Sequence, residues 1–304
     1  MWFIFTLATT LLWGLAELFY KKGSHENEKY DHLRVCIMVG AVMGIHAVFT
    51  LLTSDVAYDP MNLVVYLPVS LCYIVSMACS FFGIRFIEES LADPIENTSG
   101  AICAILCVVV LGETIAPGVW VAIALTVIGI IGVSYTEQSA EVNRKQRLGS
   151  RLAIIAFAMP FCYAIIDAVG CLLDIFFLDM ATSPLIGITE DNIELVANVS
   201  YELTFAICGL ILFIFIKSKG VKFGAVPQHK DKILAAVFET AGQFTYVYAL
   251  GGVDAVAAPI LSSVCVVSLV LSRIFLKEKL SWKTYAFITV VIIGILLLAV
   301  AEEL

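Results

Sequence analysis

Charge is scarce in this sequence: Asp, Glu, Lys and Arg make up 14% of its 304 residues, where a soluble domain carries about 25%. Basic excess is missing too. The formal net charge is −8 and the pI is near 5.0, which excludes a nucleic-acid partner, since that would require a basic patch. The nine cysteines form no CxxC and no Cys/His ligand pattern, so no metal site or cofactor is expected from them; they read as small apolar residues packing between helices. No stretch is polar enough for a soluble domain. The opening MWFIFTLATTLLWGLAELFY has neither the basic n-region nor the small-residue cleavage site of a signal peptide, and reads as a first membrane span. Apolar residues are what the sequence has in abundance, at 61% against roughly 45–50% in soluble domains. A globule of this length cannot bury that much apolar surface; a bilayer can accommodate it.

A helix needs ~20 mostly apolar residues to cross the ~30 Å hydrocarbon layer. Ten stretches qualify: 2–20, 33–53, 62–87, 92–112, 117–136, 150–176, 196–217, 232–252, 255–275 and 283–301. Sliding the chain by 165 residues places Gly44 on Gly209, Pro94 on Pro259, Leu111 on Leu276, Glu113 on Glu278 and Gly129 on Gly294 without a gap. At an offset of 150, Trp13-x-x-x-Glu17 falls on Tyr163-x-x-x-Asp167. The expected fold is therefore all-α and integral to the membrane, with ten transmembrane helices as two five-helix repeats: 1–136, a polar linker at 137–149, and 150–304. Five is odd, so the second repeat enters the membrane inverted, the plan of many secondary transporters.

The basic residues point the same way. All 18 Lys and Arg lie in or beside connectors that follow odd-numbered stretches, and the even connectors have none. The positive-inside rule then puts the odd connectors in the cytoplasm and both termini outside it.

These paired motifs resemble the drug/metabolite transporter superfamily, in its ten-helix EamA-like branch. The matching elements are LLWG at 11–14, the small-Pro pairs ADPI (92–95) and AAPI (257–260), and the Glu-bearing connectors LGETI (111–115) and LKEKL (276–280), each followed by a Gly-bearing helix. The resemblance spans essentially the whole chain and implies transport of a small metabolite without specifying which. It also implies cytoplasmic termini; the charge pattern says the reverse and is followed here. Glu113 and Glu278 have a ready structural role, capping the first turn of the next helix.

Acids inside spans are expensive, so each is a functional candidate. Glu96, Asp167, Glu202 and Glu239 lie well inside their stretches, with Glu17 and Asp174 nearer the ends, and no Lys or Arg sits at comparable depth. Such acids either hold protons or are balanced by a cation from outside. Helical spacing puts Trp13 with Glu17 on one face, Tyr163 with Asp167 and Asp174 on another, and Glu239 with Gln243 and Tyr246 on a third. Carboxylate beside aromatic ring suits an organic cation, which takes a counter-charge and ring quadrupoles together. The expected substrate site is Trp13, Glu17, Glu96, Tyr163, Asp167, Glu202, Glu239, Gln243 and Tyr246, with Asp167 and Glu239 also carrying protons. Two plainer readings stand beside it: Glu17 can pair with Lys21 one turn on, and aromatics at helical spacing can be packing alone. His46 reads as a hydrogen-bonded structural group, and the spaced glycines as close-packing positions.

The expected function is proton-coupled transport of a small cationic or zwitterionic metabolite across the plasma membrane. A carrier of neutral metabolites, with the acids serving only protons, is the alternative. An embedded enzyme would need a nucleophile–base or metal constellation, and no such motif is present in the sequence; a receptor fits the inverted repeat less well. The topology is directly testable. A reporter active only outside the cytoplasm, fused after Ala301, should be active, and a silent fusion whose fluorescent cytoplasmic counterpart glows would reverse the assignment.

Overall fold

The computed structural model describes residues 2–25, 28–86, 92, 95–112, 116–137, 150–250, 260–261, 264–275 and 281–301. Among these, every regular element is a helix and none is a strand. In chain order they are α1 (Trp2–Gly23), α2 (Asp31–Thr53), a turn at Asn62–Val65 leading to α3 (Leu67–Gly83), α4 (Ser99–Leu106), α5 (Pro117–Glu137) and α6 (Ser150–Leu178). Then follow α7 (Ile193–Ser218), a 3-10 turn at Val226–His229, α8 (Lys230–Leu250), α9 (Val264–Phe275) and α10 (Trp282–Ala301). Among the described residues, five segments are long and apolar enough to cross a membrane: Trp2–Gly23, Asp31–Thr53, Ile154–Leu178, Ile193–Ser218 and Val226–Leu250. Leu67–Gly83, Ser99–Leu111, Pro117–Gly132 and Tyr285–Gly294 are shorter apolar helices. The all-helical membrane class expected from composition holds.

Two expected stretches differ in detail. The segment 62–87 is not one helix: the turn at Asn62–Val65 stops at Tyr66, and α3 starts afresh with Pro68 in its first turn. Proline lacks an N–H and crowds the carbonyl four residues back, so it suits a helix start and breaks a helix interior. The segment 92–112 is α-helical over Ser99–Leu106 and widens into a π turn at Cys107–Leu111. Gly112 ends it with φ of 74°, a left-handed conformation that glycine adopts without Cβ strain. The linker beyond Glu137, the paired Pro94 and Pro259, and the paired Glu113 and Glu278 lie outside the described residues.

The solvent explains why so many polar side chains turn back on their own helices. Lipid offers no partners, so each hydroxyl must find one inside the protein. Thr6, Thr9, Thr10, Thr126, Thr204 and Thr240 all donate to the carbonyl four residues earlier, the local bond available to a helical threonine. Outward positions carry large apolar side chains, among them Ile4, Ile45, Leu52 and Val109, all strongly exposed. In water this would be an aggregation liability; here it is a lipid face.

The most extensive contacts join α1 to α8, α3 to α6, α2 to α7 and α5 to α10; α2 also meets α8, α3 meets α7, α1 meets α9 and α4 meets α6. This set maps onto itself when each helix is exchanged for the one five places along. The mapping extends to single residues. A Cβ on Gly129 would fall 2.5 Å from Val291 Cγ2 and 3.1 Å from the Phe287 carbonyl; one on Gly294 would fall 2.4 Å from Thr126 Oγ1 and 3.1 Å from the Ala122 carbonyl. Contacts along α2 and α7 run in opposite directions, from Gly40 against Phe205 and Gly209, through Gly44 against Ala206, to His46 against Glu202. Small residues let these backbones approach closely.

The two faces of the bundle are tied differently. On the Lys/Arg-bearing face the buried Asp31 carboxylate receives Lys232 Nζ at 2.9 Å and the His25 amide at 2.7 Å. Arg85 donates there to the Glu28 and Lys29 carbonyls and lies 3.0 Å from His32 Nδ1. On the opposite face Asn62 exchanges two hydrogen bonds with the backbone of Ile186, and the Tyr58 and Ser200 hydroxyls meet at 2.9 Å.

The α2–α7 seam gives a stability test. A Cβ on Gly40 would sit 2.5 Å from the Phe205 carbonyl oxygen, a backbone atom, whereas one on Gly209 meets nothing nearer than 3.4 Å. Gly40→Ala should therefore destabilise by ~1–3 kcal/mol through overpacking, while Gly209→Ala is nearly neutral. Thermal melting of the detergent-solubilised variants checks this, and equal melting temperatures would refute the packing argument.

Candidate functional site

A single cavity gathers residues from α1, α3, α4, α6, α7, α8 and the start of α9. Water centres can occupy about 120 Å³ of it, where one buried water needs roughly 10–15 Å³, so the space admits a small organic molecule. Four carboxyls line it: Glu17, Glu96, Asp167 and Glu239. So do the rings of Trp13, Tyr20, Tyr73, Phe81, Tyr163, Tyr201 and Tyr246. Among the described residues, no Lys, Arg or His lines it.

The helices bring these groups together by simple spacing. On α1, Trp13, Glu17 and Tyr20 stand at i, i+4 and i+7, one stripe turned toward α8. Glu239, Gln243 and Tyr246 form the answering stripe. Gly242 lies between them and lets Trp13 close in: a Cβ there would fall 2.4 Å from Trp13 Cδ1. The Trp13 and Tyr246 rings are 5.0 Å apart. Tyr20 donates to Glu239 Oε2 at 3.3 Å and packs against Phe81 at 4.6 Å. Asp167, on α6, receives hydrogen bonds from Ser76 at 3.4 Å and from Ser99 and Tyr163. The described partners of Asp167 and Glu239 are thus neutral hydroxyls.

Depth can be read along the helices. Tyr20 and Ile84 line the cavity near the helix ends that carry Lys21, Lys22 and Arg85, so the cavity reaches toward the Lys/Arg-bearing face. Toward the opposite face it stops at Tyr73 and Tyr246, whose hydroxyls are 2.6 Å apart. Behind them lies Asp174, fully buried and outside the lining, bonded by Tyr66 and by Tyr73.

The EamA-like transporter family matches residues 1–135 and 181–300. The chain belongs to that family. No curated protein matches it. A solved protein crystal structure aligns with a TM-score of 0.66 at 12% identity, covering 96% of this chain and 98% of that one; at that identity the likeness speaks for the fold alone. Membership bears out the resemblance carried by LLWG and the paired Glu connectors, and makes this EamA-like chain an integral, multi-pass membrane transporter of the drug/metabolite transporter superfamily.

Eight of the nine residues expected at the site of this EamA-like protein border the one cavity: Trp13, Glu17, Glu96, Tyr163, Asp167, Glu239, Gln243 and Tyr246. Glu202 does not. It points across to α2, where both its oxygens lie 2.8 Å from His46 Nδ1, and it takes a further bond from Asn198. An imidazole from a facing helix, rather than a cargo, partners that carboxylate, and His46 is the hydrogen-bonded group it was expected to be. Asp174 shares the angular face of Asp167 but lies two turns on, about 10 Å further along the helix, beyond the cavity wall. Tyr20, Tyr73, Phe81, Ser99 and Tyr201 were missed. A signal existed for one of them: Tyr20 continues the Trp13–Glu17 stripe.

The displaced acid separates stability from binding. Glu202→Gln should lower the melting temperature, by an amount corresponding to ~1–3 kcal/mol for a buried charge-assisted bond, and leave affinity for a cavity ligand unchanged. A drop in affinity with unchanged melting would return Glu202 to the site.

Proposed function

We propose that this EamA-like protein is a proton-coupled secondary transporter of a small organic cation or zwitterion at the plasma membrane, working by alternating access between two inverted five-helix repeats. One observation carries the reading: the described cavity wall combines four carboxyls with seven aromatic rings, and no basic side chain is among its described residues. A bound ammonium supplies a counter-charge to Asp167 and Glu239, whose described partners are hydroxyls, and gains ring contacts as well. An anion would face carboxylates in a low-dielectric space, where like charges repel strongly.

Two features support the repeat architecture. The packing list is its own image under a five-helix exchange, down to the Gly129–Val291 and Gly294–Thr126 contacts. The self-paired helices α2 and α7 run antiparallel, which is what inversion requires of elements on the symmetry axis. The 18 confined basic residues support extracytoplasmic termini.

The symmetry is broken where chemistry matters. At the 165-residue offset Glu96 corresponds to Leu261 and Ser99 to Val264, and all four line the cavity. The α4 side is therefore polar and the α9 side apolar, which favours an amphiphilic cargo with its charge toward α4 and α6.

Cargo and protons compete for the same carboxylates in this cycle, so affinity for a cation should rise between pH 6 and pH 8. The purified protein should also be stabilised by amines or quaternary ammonium compounds, by ~2.7 kcal/mol at a hundred times the Kd. Trp13→Leu or Tyr163→Leu should weaken binding by ~0.5–2 kcal/mol if the rings hold the cation, and Asp167→Asn or Glu239→Gln should abolish proton-driven accumulation. Stabilisation by anions alone, or affinity that falls as pH rises, overturns the cation reading; wild-type accumulation in both acid variants returns those acids to a structural role.

A further inference from the structure

Asp174 is a buried acid that the cargo cavity leaves unused; when it is ionised, proton count fixes the direction of the hydrogen bonds around it. Tyr66 donates to its Oδ1, and Tyr73 donates to its Oδ2 at 3.2 Å. A phenol has one proton, and that of Tyr73 is committed to the carboxylate. The 2.6 Å contact between the Tyr73 and Tyr246 hydroxyls must then be made with the proton of Tyr246. The chain runs Tyr246 to Tyr73 to Asp174, and Tyr246, whose ring lines the cavity, has only oxygen lone pairs left to offer there.

We propose that Asp174 is a proton site wired to the cavity through Tyr73 and Tyr246, and that its charge state sets whether Tyr246 accepts a hydrogen bond from the cargo or donates one. The proposal rests on the cation reading above. The step balances. A hydronium in the cavity gives a proton to the Tyr246 oxygen and is left as water; Tyr246 releases its own proton to the Tyr73 oxygen; Tyr73 releases its proton to Asp174 Oδ2. Each tyrosine again holds one proton, Asp174 is neutral, and both hydrogen bonds have reversed. Asp174 now donates to Tyr73, Tyr73 to Tyr246, and Tyr246 points an O–H into the cavity. An ammonium N–H that was accepted before now meets a donor, so proton uptake at Asp174 disfavours the cargo.

The other titratable groups near Asp174 among the described residues are phenols or belong to the cavity: Tyr66 before α3, Tyr73 on α3, Tyr201 on α7, Tyr246 on α8, and Cys171 and Asp167 on its own helix. No lysine or arginine is among them.

The test compares n-butylammonium, which has N–H donors, with its N-trimethyl counterpart, which has none, by calorimetry on the purified full-length chain at one pH. Both probes carry the same single charge and meet the same cavity carboxyls, so a change in the ratio of their affinities isolates the N–H contact. Asp174→Asn presents an amide donor to Tyr73, as the protonated acid does. It should weaken butylammonium by about tenfold, the scale of one charge-assisted hydrogen bond, and the trimethyl probe by less than about twofold. Tyr246→Phe, which keeps the ring, should give the same selective loss, and the double variant no more than either alone. Equal losses for both probes, or no loss in Tyr246→Phe, overturn the relay while the cation reading stands. If neither cation binds the wild type, the cation reading falls and takes the relay with it.

Discussion

Everything in this protein follows from one constraint: inside a bilayer, a polar group must find its partner within the protein. Unsatisfied backbone amides would lose several kcal/mol each, which leaves helices as the regular structure available to a chain of this hydrophobicity. The same rule disposes the side chains. Threonines bond back to their own helix, Asn62 spans a gap to Ile186, and Glu202 reaches His46 across the α2–α7 seam. Asp174 collects two tyrosines. Asp167 and Glu239 obey the rule only in part, because their described hydroxyl partners satisfy hydrogen bonding without balancing charge.

Symmetry sets the scaffold and its breaking sets the chemistry. The pairs α5–α10 and α2–α7 lie across the exchange that maps the packing onto itself, and they are held by small residues that admit the facing backbone. At α2–α7 the Glu202–His46 bond pins the otherwise small-residue seam in register. The cavity lies mainly among α1, α3, α4, α6 and α8, with Tyr201 of α7 and the start of α9 completing its wall. Corresponding positions there have diverged to Glu96 against Leu261 and Phe81 against Tyr246. In the proposed cycle, related backbones let the two halves exchange roles while unlike side chains give the cargo a fixed orientation.

Much of this was legible in the sequence because membrane insertion makes polar residues conspicuous. Against 61% apolar composition an acid stands out, and helical periodicity places Trp13 with Glu17 or Glu239 with Tyr246 before any coordinates exist. Depth was harder. Asp167 and Asp174 share a face, and only the position of α3 along α6 separates a cavity acid from one sealed behind Tyr73. Partner choice was harder still. Nothing local to Glu202 announces that His46, 156 residues away, will meet it. Tyrosines such as Tyr20 and Tyr73 look like packing residues until their hydroxyls are seen on carboxylates. The break at Tyr66 was available from Pro68, whose effect on a preceding helix is purely local.

The contrast between two kinds of buried acid carries the functional argument one step further. Asp31 is fully buried and lies 2.9 Å from Lys232; the pair is internally neutral, and removing one member would strand the other, so it acts as a fixed tie on the Lys/Arg-bearing face. Asp167 and Glu239 are held instead by Ser76, Ser99, Tyr163 and Tyr20. A lysine at any of those positions would satisfy the carboxylate permanently and remove its need for a mobile counter-ion. Hydroxyls orient the acid, keep water from being its sole partner, and leave its charge to be balanced by something that arrives and departs. On the reading proposed here, the neutrality of those partners is what lets the cavity exchange a proton for a cation, and it explains why the bundle keeps its basic residues at its ends.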